Sequence, residues 1–142
     1  FSAIFGQTSS FNTTVNAWDT SSATNMLAMF AQSAYNKSLS NFDTSSVTNM
    51  QQMFFGSTAF NKELDWDFSS ITNMSNFMTG KSAADYDATK YDTLLNACYN
   101  GGQMNVTLNM GNVEYTSAAS SVRNDLTSFF GRRWTITDGG QQ

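Results

Sequence analysis

Carboxylates are the residues in this chain whose types and spacing come closest to chemistry. Asp19, Asp43 and Asp67 recur at a fixed interval, each with hydroxyls after it, as in Asp-Thr-Ser-Ser. Carboxylate and hydroxyl oxygens are the hard ligands that calcium takes. Each copy supplies one carboxylate, however, and no Gly-x-Asp calcium loop accompanies it, so capping the free amides of a following helix is the expected role. Asp85, Asp87 and Asp92 have the makings of an acid–base pair but lie in a polar stretch with no supporting cleft, and read as a solvated turn. Cys98 is the single cysteine, which rules out an intrachain disulfide; it reads as a small buried hydrophobe. There is no histidine, which removes Ser-His-Asp and Cys-His catalysis, His-ligated zinc and the usual general base near neutral pH. No catalytic residue, metal or cofactor is expected, and the chain reads as non-enzymatic.

The bulk composition points the same way. The 142 residues suffice for one domain with a real core, or a short repeat array with a terminal cap. Charged residues make up 13%, against roughly 25% in ordinary soluble domains, and Ser, Thr, Asn and Gln fill the gap. Such a surface owes its solubility to hydroxyls and amides, a composition met more often outside cells. Net charge is −4, and Lys37, Lys62, Lys81 and Lys90 are scattered, so no cationic surface is expected for nucleic acid. Arg132-Arg133 is the one adjacent pair and reads as solvated. No apolar run approaches the ~18 residues that span a bilayer, so no membrane insertion is expected. The opening Phe-Ser-Ala-Ile-Phe falls inside a repeat, and the chain is expected to be a piece of something longer.

The elements that position these residues follow from the repeat. WDTSSATNM at residues 18–26 returns as FDTSSVTNM from Phe42 and WDFSSITNM from Trp66. In register, Trp18, Phe42 and Trp66 align, as do Asn25, Asn49 and Asn73, each followed by Met26, Met50 or Met74. A fixed period of 20 to 50 residues signals a solenoid. Val47, Met50, Met53 and Phe54 fall on one stripe of a short helix. Phe60 to Trp66 reads as extended, and Gly56 to Ala59 as a loop. The expected fold is therefore an α/β solenoid of stacked turns of about 24 residues, each a short strand, a corner and a short helix. Trp18, Phe42, Trp66, Met26, Met50 and Met74 form its stacked core, Asn25, Asn49 and Asn73 an asparagine ladder, and Asp19, Asp43 and Asp67 the helix-capping corner. The array runs over residues 1–78, and residues 79–142 form an α+β cap. That cap includes a strand-like Met104 to Leu108 and a helix from Ser117 to Phe130 with Val122, Leu126, Phe129 and Phe130 on one face.

The unit W-D-T-S-S-V-T-N-M-x-x-M-F, with Phe-Asn further on, resembles the BspA-like surface-protein repeats, once catalogued as a Mycoplasma domain of unknown function. The resemblance covers residues 1 to about 78; Phe68, Ala23 and Met78 depart from the pattern. It implies a divergent leucine-rich-repeat architecture, an extracellular, cell-surface or virion-surface location and a role in adhesion, and it carries no catalytic residues. The tail resembles the unit that closes such arrays, with two arginines intervening between Gly131 and Trp134. The expected function is a binding or adhesion module that presents a polar surface to a cell-surface or matrix glycan or protein. The alternative is a structural element, such as the capped end of a stalk, filament or tail fibre, partnered by copies of itself. Asn-x-Ser/Thr triplets at Asn12, Asn36, Asn73 and Asn105 would be glycan acceptors in a secreted eukaryotic protein.

Overall fold

The expected α/β solenoid of leucine-rich-repeat-like turns does not stand against a computed structural model that describes residues 1–142. Regular secondary structure is confined to two short helices, α1 (Ala88–Gly101) and α2 (Ser120–Thr127), and four short strands. The strands are β1 (Thr107–Asn109), β2 (Glu114–Tyr115), β3 (Thr135–Thr137) and β4 (Gly140–Gln141). They pair as two separate two-stranded parallel sheets, β1 with β3 and β2 with β4. Residues 1–87 contain turns and isolated bridges, with no helix at Val47–Phe54 and no strand at Phe60–Trp66.

The backbone explains the missing helices. Ala28, Gln32, Gln52, Gly56, Asn76 and Gly80 all have positive φ, between 51° and 93°. A left-handed residue at every fourth position cannot sit in a right-handed helix. The chain advances instead by three-residue turns, such as Met53 N–H to the Met50 carbonyl (3.2 Å) and Ser57 N–H to the Phe54 carbonyl (3.1 Å). Those turns bring Met50, Met53 and Phe54 inward at the spacing a helix would use, so the stripe is real while the helix is not. The freed amides donate to the neighbouring copy. Met26, Ala28, Phe30 and Gln32 donate to the carbonyls of Asn49, Gln51, Met53 and Phe55 at 2.7–2.9 Å. Met50, Gln52, Phe54 and Gly56 donate in turn to Asn73, Ser75, Phe77 and Thr79 at 2.9–3.0 Å. An α-helix would use these donors internally. Each left-handed non-glycine residue costs about 1–2 kcal/mol, which these bonds and the burial beneath them offset.

With no helix to follow, Asp19, Asp43 and Asp67 cap none. Each carboxylate accepts from the amide two residues on, from Ser21 (3.0 Å), Ser45 (3.0 Å) and Ser69 (2.7 Å), closing a local turn. The neighbouring hydroxyls of Thr20 and Thr44 are buried and donate to the backbone carbonyls of Asp43 and Asp67.

A single core of 34 buried residues runs from Val15 to Trp134. Met26, Met50 and Met74 are fully enclosed, and the buried Phe42 and Trp66 rings lie 6.2 Å apart and nearly parallel. Trp18 differs from that expected column: it is 39% exposed, with its ring against Phe5 (5.3 Å) and Phe1 (6.1 Å). The backbone pairing crosses the expected boundary at residue 78 through the Met78 amide to the Asn109 carbonyl and the Met74–Leu108 bridge.

The later elements follow simple rules. Tyr91, Leu94, Leu95 and Cys98 fall at i, i+3, i+4 and i+7, the buried face of α1, which ends on Gly102 at φ 78°. The strand expected over Met104–Leu108 runs from Thr107 to Asn109. The helix expected from Ser117 to Phe130 is a 3-10 turn, Ser117–Ala119, followed by α2, which stops at Thr127. Ser128 is extended (ψ 152°), which throws Phe129 and Phe130 outward rather than onto the Leu126 face.

Candidate functional site

Asn25, Asn49 and Asn73 stack on one another through backbone bridges, and their side-chain oxygens accept from the backbone amides of Leu27, Gln51 and Ser75, two residues ahead in their own copy. Asn109, which sequence reasoning missed, makes the same turn to Gly111; the Asn-Met pair at residues 109–110 was the available signal. A second asparagine column, Asn12, Asn36 and Asn61, joins one copy to the next alongside the hydroxyls of Thr20, Thr44, Thr48 and Thr72. Asn12 Oδ1 accepts from the Asn36 amide (2.8 Å), Asn36 Oδ1 from Asn61 (3.0 Å), and Asn61 Oδ1 from Asp87 (3.1 Å). The phrase Phe/Tyr-Asn at residues 11–12, 35–36 and 60–61 marks it in the sequence.

The acidic groups form no metal centre. No group of three or more His, Cys, Asp or Glu side chains lies where it could hold an ion. The hydroxyls and amides of Ser21 and Ser45 hold the exposed Asp19 and Asp43 carboxyls below the usual range. Asp85 accepts from Ser82, Asp87 pairs with Lys90, and Asp92 accepts from Thr116, so the three carboxylates of the 85–92 stretch serve three separate contacts. Cys98 is fully buried in α1, and burial pushes its thiol well up.

Lys81 is the one buried lysine. Its Nζ donates to the Phe60 carbonyl (2.7 Å) and lies 5.8 Å from the centre of the Tyr86 ring. Burial lowers its pKa from 10.5 to about 8, and the charge of Asp85 opposes that shift. An amine so depressed is a nucleophile in principle, but at 2% exposure it is closed to substrate. Its effect is on stability. Below pH 8 both states hold the proton; between about 8 and 10.5 the unfolded chain holds more, so stability rises with pH in that window. Burial raises the pKa values of Tyr35, Tyr86 and Tyr91, which keep protons the unfolded chain loses, so stability turns down above about pH 10. The buried Cys98 thiol keeps a proton that the unfolded chain loses from about pH 9, which opposes the lysine there. Denaturant midpoints measured from pH 7 to 10 should therefore hold up in the native protein and fall above about pH 9 in Lys81→Met.

At the other end of the chain, Arg123 holds Asp138 with two hydrogen bonds, Nε to Oδ2 (2.8 Å) and Nη2 to Oδ1 (3.0 Å). The Tyr91 hydroxyl donates to the same carboxylate (2.8 Å). The Asp138 side chain is 3% exposed, so this set of charges fastens α2 and α1 to the turn between β3 and β4 rather than facing a ligand.

Four surface hollows of about 280–430 Å³ are open to a ligand, and the groove of about 430 Å³ lies beside the left-handed turns. It is lined by the small residues Ala3, Gly6, Ala28 and Ala31, by Gln7, Gln32 and Gln52, and by Phe55. Gln7, Gln32 and Gln52 all have positive φ (61°, 52° and 58°). The side-chain amides of Gln7, Gln32 and Gln52 make no hydrogen bond within the chain, and all three residues line the groove. Small side chains leave the backbone approachable, and Phe55 adds an apolar component to the lining. The arrangement can bind a polar ligand by amide hydrogen bonds and ring contact; it holds no acid, base or nucleophile.

A protein-family model described as "Mycoplasma protein of unknown function, DUF285" matches residues 1–95, a span that contains the whole groove and reaches into α1. No curated protein and no solved structure matches the chain.

Proposed function

The chain belongs to that Mycoplasma-named family of unknown function, and from this premise we propose that it is a non-enzymatic binding or adhesion module. Its place is the extracellular or cell-surface side, and its ligand a cell-surface or matrix glycan or protein. The BspA-like surface-protein identity is the finer form of the proposal, and rests on the thrice-repeated WDTSSATNM motif. The groove carries the reading: three glutamine amides with no partner in the chain share its lining with alanine, glycine and Phe55. Sugars present hydroxyls and apolar ring faces together, the combination such a groove complements. Weak single contacts gain strength when several copies of the module act at once.

A glycan array and a whole-cell binding assay, both with the protein displayed multivalently, test this. Saturable binding is expected in at least one; blanks in both would overturn the reading. Replacing Gln7 and Gln32 together with glycine removes two amides at positions where φ already suits glycine. Binding should weaken about tenfold, at roughly 0.5–1.5 kcal/mol per neutral hydrogen bond, with no loss of thermal stability.

The assembly alternative has one observation in its favour. Phe1, Ile4 and Trp18 are 39–46% exposed on the first copy, an apolar surface that another copy of the chain could cover. Sedimentation at rising concentration should then show reversible multimers, abolished by Ile4→Ser; a concentration-independent monomer would dismiss this alternative.

A further inference from the structure

A second hollow, of about 380 Å³, is lined by Tyr99 of α1, by Asp125 of α2, and by Ser128, Phe130, Gly131 and Arg132 of the turn after α2. Three of these residues work against stability. Asp125 lies in the last turn of α2, where the helix dipole opposes a carboxylate, and its side chain forms no ion pair or hydrogen bond. The Phe130 ring is 97% exposed. Arg132 is half-buried, with Nη2 donating to the Tyr99 carbonyl (3.4 Å) and Nε enclosed without a partner. Local rules broken together at one place mark a site kept for something other than folding. The turn holds these groups rigidly: the Gly131 amide donates to the Ser128 carbonyl (3.1 Å), that of Arg132 to Asp125 (3.0 Å) and that of Trp134 to Leu126 (2.8 Å). A Cβ at Gly131 would fall 1.8 Å from the Asp125 carbonyl oxygen, so the turn that seats Phe130 and Arg132 beside Asp125 requires glycine there.

We propose that this hollow is a saccharide subsite. The ionised Asp125 carboxylate only accepts hydrogen bonds, and the Arg132 guanidinium only donates them. The carboxylate disfavours a phosphate or carboxylate ligand, and the guanidinium disfavours a cation. A hydroxyl group donates and accepts through one oxygen, so a neutral polyol serves both residues, and the Ser128 hydroxyl, itself without a partner in the chain, adds a third point. The C–H face of a sugar ring suits an exposed phenyl ring such as Phe130. The inference takes only its ligand class from the glycan reading above. None of the six lining residues belongs to the glutamine groove, so the subsite does not depend on it.

An NMR titration of the labelled full chain tests the proposal, with the methyl glycosides of glucose, galactose, mannose and N-acetylglucosamine added singly. Alanine, a zwitterion, and inorganic phosphate serve as the charged probes. At least one glycoside should give saturable shifts at the Phe130 ring and the Ser128 and Arg132 amides, indifferent to added salt; alanine and phosphate should give none. Asp125→Ala should weaken that binding about tenfold, the loss of a hydrogen bond to a charged group. Phe130→Ser should weaken it about fivefold. Both variants should melt like the native protein, since the carboxylate has no partner in the chain and the ring is solvent-facing. Gln7→Gly/Gln32→Gly should leave these shifts unchanged, which separates the subsite from the groove. Silence at these residues with all four glycosides would overturn the proposal. So would saturable shifts there with alanine or phosphate, or glycoside binding that survives both Asp125→Ala and Phe130→Ser.

Discussion

Replacing Phe54 with alanine is expected to destabilise the protein by about 3–5 kcal/mol. The ring is fully buried and sits among four others: Phe60 at 4.0 Å, Phe77 at 5.5 Å, Phe30 at 5.6 Å and Trp66 at 6.5 Å. These partners come from three different copies of the repeat, and the Phe54 amide itself donates to Phe77, so neither backbone nor rings can easily close the void. A chain of this size has total stability of order 5–15 kcal/mol, so the variant should be partly unfolded at body temperature. Guanidinium titration followed by tryptophan fluorescence measures the loss as a lowered midpoint at unchanged slope. Trp18→Ala makes the comparison sharp. That ring is larger, but it is 39% exposed and should cost far less than Phe54. Equal losses at the two positions would mean that the Trp18 column is packed like the others.

Arg123→Met is the second large effect. It removes both hydrogen bonds to Asp138 and leaves a carboxylate at 3% exposure with the Tyr91 hydroxyl and the Gly140 amide for company. Breaking one side of a buried pair costs about 3–5 kcal/mol, because the remaining charge is desolvated and uncompensated. The damage should be local at first, since α2 and the β3–β4 turn share this tie. Amide exchange in α2 should quicken before that of the turns at residues 26–56. Arg123→Met/Asp138→Leu removes both charges and should regain much of the loss, a coupling that a double-mutant cycle reads directly. A single-variant cost below about 1 kcal/mol would place the pair among ordinary surface ion pairs.

The sequence could disclose the inward-facing residues without disclosing the backbone that carries them. Met50, Met53 and Phe54 are buried as their spacing requires, yet the spacing is shared by a helix and by a run of three-residue turns. What separates the two is φ at Ala28, Gln32, Gln52 and Asn76, residues with no strong left-handed preference apart from Asn76. Hydrogen bonds between copies impose that conformation, and such non-local terms do not appear in a local pattern. Columns of one residue type were similarly ambiguous. Asn25, Asn49 and Asn73 in the most regular phrase stack through their backbones, while Asn12, Asn36 and Asn61 in the less regular one bond across copies through their side chains. Phe129 and Phe130 completed an apolar helical face on paper; the helix stops at Thr127, and the rings point to solvent. The groove left no trace because glutamine is common on surfaces, and its lining residues come together only once the turns are folded.

The central claim is that the glutamine groove receives the ligand. Its most direct test is an NMR titration of the labelled full chain with whichever oligosaccharide binds on the array. The account predicts saturable shifts at the side-chain amides of Gln7, Gln32 and Gln52 and at the ring of Phe55, with the Asp19, Asp43 and Asp67 corner unmoved. Shifts centred on that acidic corner, with the three glutamine amides unchanged at saturation, would contradict it.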